Sequence, residues 1–124
     1  MIGDELRART RQFAMDVIDL CLRLGSGDVG HLVRPQLLRA ATGVAANYRA
    51  ASRSRSRREF VSKLGVVVEE ADESELWLDI LEAKHPGAPE TVRRLRKEAS
   101  ELCAIFIASR RTAAAKLKKP PPPP

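Results

Sequence analysis

The sequence has few aromatic residues, few cysteines and no long apolar run. One Trp, one Tyr and three Phe account for 4% of its 124 residues, and there are two Cys. Because no run reaches about 18 apolar residues, no transmembrane helix is predicted. Cys21 and Cys103 lie in apolar periodic segments. With no export signal visible at the N-terminus, we expect reduced core thiols in a cytoplasmic protein with no membrane contact.

Sequence signatures of catalysis are also missing. There is no Gly-rich phosphate loop, no GxSxG elbow and no CxxC pair. His31 and His85 flank turns and lack ligand-spaced partners. A di-metal site in a helical bundle needs Glu-x-x-His pairs on two helices, and the sequence does not contain two such pairs. We therefore expect no enzymatic activity, no cofactor and no metal.

Charge is distributed very unevenly along the chain. The net charge is +6 overall, but it is −1 in residues 1–33, +7 in residues 34–63, −6 in residues 64–89 and +6 in residues 90–124. One interpretation is that these are solvated helix faces whose opposite charges pair between neighbouring helices. The other interpretation is a basic surface that binds phosphates.

Apolar residues recur at helical spacing in four segments, and Ala, Leu, Glu and Arg dominate. The predicted helices run from about Asp4 to Leu24, about His31 to Ser52, Arg57 to about Lys84 and about Pro89 to Ala115. Since Pro is tolerated only in the first turn, the second helix should begin within a few residues before Pro35. Ser56 and Glu59 form a capping-box pattern that starts the third helix at Arg57.

Short connections between four such helices predict an all-α fold, an antiparallel up-down-up-down four-helix bundle. The bundle is predicted to span residues 1–116. The Lys/Pro segment at 117–124 cannot continue a helix, so we expect it to be a disordered tail.

The stretch from Arg34 to Leu81 carries a specific series of motifs. They are Gln36-Leu-Leu-Arg39, Asn47-Tyr48, Ser56, Glu59-Phe60, Lys63-Leu64, the run Glu70 to Glu73, and Trp77. This series resembles the bacterial four-helix-bundle family known from intervening sequences of 23S ribosomal RNA genes, also called the S23 family. Thr42 stands where the family often has Ser, Ala50 where Glu is common, and the Pro-rich tail is not a family feature.

The resemblance implies a small cytoplasmic bundle that forms a ring-like homo-oligomer, a pentamer, with nucleic-acid binding and no established enzymatic activity. It also extends to the accessory variability determinant proteins of diversity-generating retroelements. Those proteins are basic pentamers that associate with a reverse transcriptase and nucleic acid.

Four polar residues on the second and third helices are predicted to form a structural network. Asn47 lies near the buried stripe and needs a hydrogen-bond partner there. Glu70 and Glu73 lie one turn apart and can accept hydrogen bonds from Arg39 or Asn47. We favour this structural interpretation over catalysis. The remaining alternative is an enzyme that uses Glu70 and Glu73 with a metal.

Our first functional hypothesis is a homo-oligomer that binds nucleic acid, RNA more than DNA, through the Arg-rich turn between the second and third helices. The candidate contact residues are Arg49, Arg53, Arg55, Arg57, Arg58, Arg110 and Arg111. Because aromatic residues are scarce, we expect phosphate contacts rather than sequence readout by base stacking. The second hypothesis is a protein-interaction scaffold or accessory subunit, for example of a reverse transcriptase.

Overall fold

A computed structural model describes residues 2–118 and residue 123 of the chain. The four helices are α1 (Ile2–Arg23), α2 (Asp28–Ser52), α3 (Arg57–Lys84) and α4 (Pro89–Leu117), joined by connections of four residues each. The predicted all-α four-helix bundle is confirmed. Most of the predicted disordered tail, 117–124, lies outside the described residues, although Leu117 still belongs to α4.

The core lies between the apolar stripes of the four helices. The buried stripe of α2 includes Leu37, Ala41, Val44, Tyr48 and Ala51. Phe13 and Phe106 are the largest fully buried side chains. α3 packs extensively on α2 and α4, whereas α1 packs mainly on α2 and less on α4. No helix in the described part of the chain is long and apolar enough to cross a membrane.

The second helix begins earlier than predicted. It starts at Asp28, so Pro35 lies inside α2 and the prediction that Pro35 occupies the first turn was wrong. Pro35 has no N–H to donate to the carbonyl of His31, which weakens the helix at that point. Gly30 and Val33 precede Pro35 and are buried. Their packing against the core stabilises the turns before Pro35.

Arg34, in the most basic stretch of the sequence, caps the end of α1. Its guanidinium donates to the carbonyl oxygens of Cys21 at 3.2 Å, Leu24 at 2.6 Å and Gly25 at 2.8 Å. The last carbonyls of a helix have no partner within the helix, and a cation is favourable there. Arg34 therefore fixes the connection between α1 and α2, and its guanidinium donors are used for hydrogen bonds within the protein.

Changing Arg34 to Ala should lower the free energy of unfolding by about 1–3 kcal/mol, because carbonyls at the end of α1 lose a charged donor. Chemical denaturation followed by circular dichroism measures this loss. Arg34→Lys should recover only part of it, since one ammonium group cannot reproduce the guanidinium fork. Arg23→Ala, an exposed arginine in the last turn of α1, is the matched control. An equal loss in both Ala variants would contradict the capping role.

The two cysteines are free thiols in the core, as predicted. Burial raises the pKa of the Cys21 thiol to about 11, although Arg34 acts in the opposite direction. Burial also raises the pKa of Cys103. Since the thiolate is the reactive form, both side chains are poor nucleophiles at neutral pH.

Candidate nucleic-acid interface

One end of the bundle collects the start of α1, the end of α2, the start of α3 and the end of α4. We call it the basic end. The structure brings the seven predicted contact residues together there: Arg49, Arg53, Arg55, Arg57, Arg58, Arg110 and Arg111. All seven are exposed, and among the described residues none of them has a carboxylate at ion-pair distance.

These arginines do not form one continuous surface. Arg49 and Arg53 line a groove between α1 and α2, which we call the α1–α2 groove. The side chains of Arg55 and Arg57 line a recess at the tip of the bundle, the end pocket. Arg110 and Arg111 line a third recess, between α3 and α4.

The α1–α2 groove is the most basic of the three recesses. Arg7 and Arg11, one turn apart on α1, lie across it from Arg49, in the last turn of α2, and Arg53, which directly follows that helix. Its volume is about 540 Å³. Small side chains form its floor: Ala8, Ala14, Thr42, Ala45 and Ala46. A chain of phosphates can therefore approach the helix backbones closely while four guanidinium groups flank it.

Arg7 and Arg11 were not among the predicted contact residues. Residues 1–33 have a net charge of −1, and this average conceals where on the helix each charge lies. The two arginines are spaced i, i+4 and so share one face of α1, which is the signal that identifies them. Arg7 also forms an ion pair with Asp4.

The recess between α3 and α4 is a weaker candidate for phosphate binding. Arg110 Nε donates to the carbonyl of Val61 at 3.2 Å, so part of its donor capacity is used within the fold. A Cβ at Gly65 would lie 3.2 Å from that nitrogen, and the glycine therefore lets the guanidinium pack closely on α3. Glu69 lines the same recess and lowers its positive potential.

The predicted polar network forms only in part. Arg39 Nη2 donates to Glu73 Oε1 at 2.5 Å, and Arg39 Nη1 lies 3.8 Å from Glu70 Oε2. Asn47 instead donates to the carbonyl of Gly43 at 2.8 Å, within its own helix. Of the two predicted donors, Arg39 therefore reaches the carboxylates and Asn47 does not, because the Asn47 amide bonds to the carbonyl one turn back in its own helix.

Glu70 is the most constrained carboxylate of this network. A Cβ at Gly43 would lie 3.0 Å from Glu70 Cδ and Oε2, so the missing side chain of Gly43 makes room for it. Oε2 is buried and has no hydrogen-bond partner among the described residues. Burial raises the pKa of Glu70, Arg39 lowers it, and Glu73 raises it further. The ionised form of Glu70 is thus disfavoured in the folded protein.

The stability of the wild-type protein relative to a Glu70→Gln variant should fall as the pH rises. A carboxyl group whose pKa is raised on folding stabilises the fold while protonated. That contribution is present below the pKa of the carboxyl group in the unfolded protein, about 4.3, and is lost as the pH rises through its pKa in the folded protein. Urea denaturation of both proteins across this range measures it. A wild-type protein that gains stability over the variant with rising pH would show that the Arg39 contact outweighs burial.

Away from the basic end, several arginines pair with carboxylates. The pairs are Arg9 with Glu98 and Glu101, Arg94 with Asp16, and Arg96 with Asp79 and Glu82. Here the interpretation of opposite charges pairing between neighbouring helices holds. In the described part of the chain, no three His, Cys, Asp or Glu side chains converge in a way that could hold a metal ion.

The structure defines this protein as a small, all-α four-helix bundle in which most of the arginines without a carboxylate partner among the described residues lie at one end. The model of the family described as 23S rRNA-intervening sequence protein matches residues 5–108. The chain therefore belongs to the 23S rRNA-intervening sequence protein family, as the motifs between Arg34 and Leu81 predicted.

A solved structure from the same family has a similar fold. It is a protein of unknown function from the S23 ribosomal protein family of Bacteroides thetaiotaomicron. The similarity has a TM-score of 0.80 at 25% sequence identity and covers 90% of this chain and 99% of that one. No curated protein is similar enough in sequence to count as a match.

Proposed function

We propose that this protein is a non-enzymatic, homo-oligomeric RNA-binding protein whose basic end contacts the phosphate backbone. The observation that carries the proposal is the α1–α2 groove, where Arg7, Arg11, Arg49 and Arg53 flank a floor of small side chains. The description of its family, which refers to 23S rRNA, favours RNA over DNA as the ligand.

The groove and the turn are suited to recognition of shape and charge. Duplex RNA is bound mostly through phosphates and 2′-hydroxyl groups rather than base edges. Guanidinium groups suit this task because their donors form a fork that matches phosphate oxygens. The arginines at the turn, Arg55, Arg57 and Arg58, extend the positive surface beyond the groove.

Fluorescence anisotropy of a labelled RNA hairpin, titrated at several salt concentrations, tests this proposal. Each neutralised phosphate contributes about 0.9 to the slope of log affinity against log salt, so several contacts should give a steep decline. The matching DNA hairpin should bind more weakly. Affinity that stays flat between low and moderate salt would overturn phosphate-dominated binding.

The homo-oligomeric part of the proposal has support in a second surface. A second recess lies between α1 and α2 at the end of the bundle opposite the basic end. Ile18, Leu22 and Leu38 give it an apolar lining, and Leu22 is 79% exposed. A contiguous patch of exposed apolar side chains is typical of protein interfaces. A ring of five subunits is what the resemblance to the S23 family implies.

Light scattering coupled to size-exclusion chromatography tests the assembly. Leu22→Gln should reduce the oligomer mass at micromolar concentration without loss of helical signal, because the side chain is almost fully exposed. Ile107→Gln is the matched control, since Ile107 is 41% exposed on α4, outside this apolar surface. A monomeric wild-type protein would disprove the oligomer.

A scaffold or accessory subunit is the second candidate function. The outer face of α3 carries Glu69, Asp72 and Asp79, all exposed, and an acidic face of this kind suits a basic protein partner. A reverse transcriptase is the partner implied by the resemblance to accessory variability determinant proteins. A pull-down with a purified reverse transcriptase, with and without nuclease, separates the two roles. Binding that persists after nuclease treatment would favour a protein partner, and binding that is lost would favour RNA.

A further inference from the structure

Aromatic side chains are scarce in this protein, but two of the five line the end pocket. They are Tyr48 and Phe60. Tyr48 is 5% exposed and packs on Phe106 with ring centroids 5.0 Å apart, so it forms a fixed wall. Phe60 is half-buried and keeps part of its ring accessible. The pocket has a volume of about 900 Å³, within the range of small-molecule sites.

The end pocket also contains a hydroxyl group that lacks a partner. Ser54 lines the pocket, and its Oγ is buried with no hydrogen bond among the described residues. A buried polar atom without a partner costs free energy, so its presence in a native fold needs an explanation. Ser109 and Thr112 add two further hydroxyl groups to the lining. These groups can bind the polar edge of a planar ligand.

Positive charge surrounds the same pocket. Arg55 lines it from the connection between α2 and α3, Arg57 from the start of α3, and Lys116 from the end of α4. The pocket thus combines an accessible aromatic ring, hydroxyl groups and three cations. This combination matches a nucleotide, in which a planar base is joined to a negatively charged phosphate.

We propose that the end pocket binds one unpaired nucleotide of the RNA that lies on the basic end. The base stacks on Phe60, and its polar edge bonds to Ser54. The backbone phosphates of the nucleotide lie against Arg55, Arg57 and Lys116. This inference rests on the proposed RNA-binding function and adds a preference to it. The low aromatic content argues against a run of stacked bases, whereas a single stacked base requires only one accessible ring.

Three RNA hairpins of equal charge test the pocket. One has a single bulged 2-aminopurine nucleotide, the second has an abasic residue at the bulge, and the third is fully paired. The bulged base should increase affinity about tenfold over the abasic hairpin, which is within the effect of one stacked base. The fluorescence of 2-aminopurine should fall on binding, because stacking quenches it.

Two conservative variants locate the effect in the pocket. Phe60→Leu keeps an apolar side chain but removes the ring, and Ser54→Ala removes the unpartnered hydroxyl. Each should reduce the preference for the bulged base while leaving the salt dependence of binding unchanged. Ser62→Ala, an exposed position on the outer face of α3, is the control and should retain the preference.

The outcomes distinguish this inference from the proposed function. Equal, salt-sensitive affinity for all three hairpins would overturn the nucleotide pocket and leave RNA binding in place. No binding of any hairpin would overturn both. Adenosine monophosphate is the probe for a free nucleotide. If it bound to the wild-type protein while bulged and abasic hairpins bound equally, the pocket would serve free nucleotides, and the assignment to RNA would be wrong.

Discussion

Replacing Arg7, Arg11, Arg49 and Arg53 together by Gln should weaken binding of an RNA hairpin about 100-fold at about 0.1 M salt. Each arginine that contacts a phosphate contributes about 0.9 to the slope of log affinity against log salt, so four contacts account for a slope of about 3.6. The lost affinity should therefore be largest in dilute salt and should shrink as the salt concentration rises. Anisotropy titrations over a salt series measure both quantities.

A variant with the same net charge provides the control. Arg23, Lys84, Arg93 and Lys97 are exposed and lie toward the opposite end of the bundle. Replacing these four by Gln removes as much charge as the first variant. If RNA binds at the basic end, this control should change the slope little. Equal losses in the two variants would show that the total charge, rather than the α1–α2 groove, governs binding.

Changing Phe106 to Ala should lower the free energy of unfolding by about 3–5 kcal/mol. Phe106 is fully buried, packs on Tyr48 and lies in the core close beneath the end pocket. Its removal leaves a cavity that the rigid helices around it fill only in part. Because small domains are stable by about 5–15 kcal/mol, this variant should be close to unfolding at moderate temperature. Denaturant titration followed by circular dichroism gives the value.

The next residue in the chain supplies the comparison. Ile107 is 41% exposed, and Ile107→Ala should change the unfolding free energy by about 0.5 kcal/mol or less. Phe106→Leu, which keeps most of the apolar volume, should lie between the two Ala variants. A loss below about 1 kcal/mol for Phe106→Ala would mean that the core relaxes around the gap.

The fold was predictable because local signals and periodicity agree. α3 begins as predicted at Arg57, where the Glu59 N–H donates to Ser56 Oγ at 3.1 Å. It also ends as predicted, at Lys84. The start of α2 was misjudged because the burial of Val33 compensates for Pro35, and burial in a tertiary structure is not visible in local sequence.

The candidate site was predictable only in outline. The charge of residues 34–63 indicated the arginines of the turn, but it also included Arg34, which caps α1, and Arg39, which pairs with Glu73. Which arginines are free depends on the helix that packs beside each one, and a count along the chain contains no such information. For the same reason Arg7, across the groove from α2, was missed.

The limited packing of α1 on α4 has a consequence for the way the native protein opens. The contact between these helices includes the partly buried ion pairs from Arg9 to Glu98 and from Arg94 to Asp16, and salt screens the part of such an attraction that is open to solvent. Separating α1 exposes less apolar surface than unfolding the whole bundle. Amide hydrogens of α1 should therefore exchange with solvent by local opening, ahead of those of α3, and added salt should widen the difference.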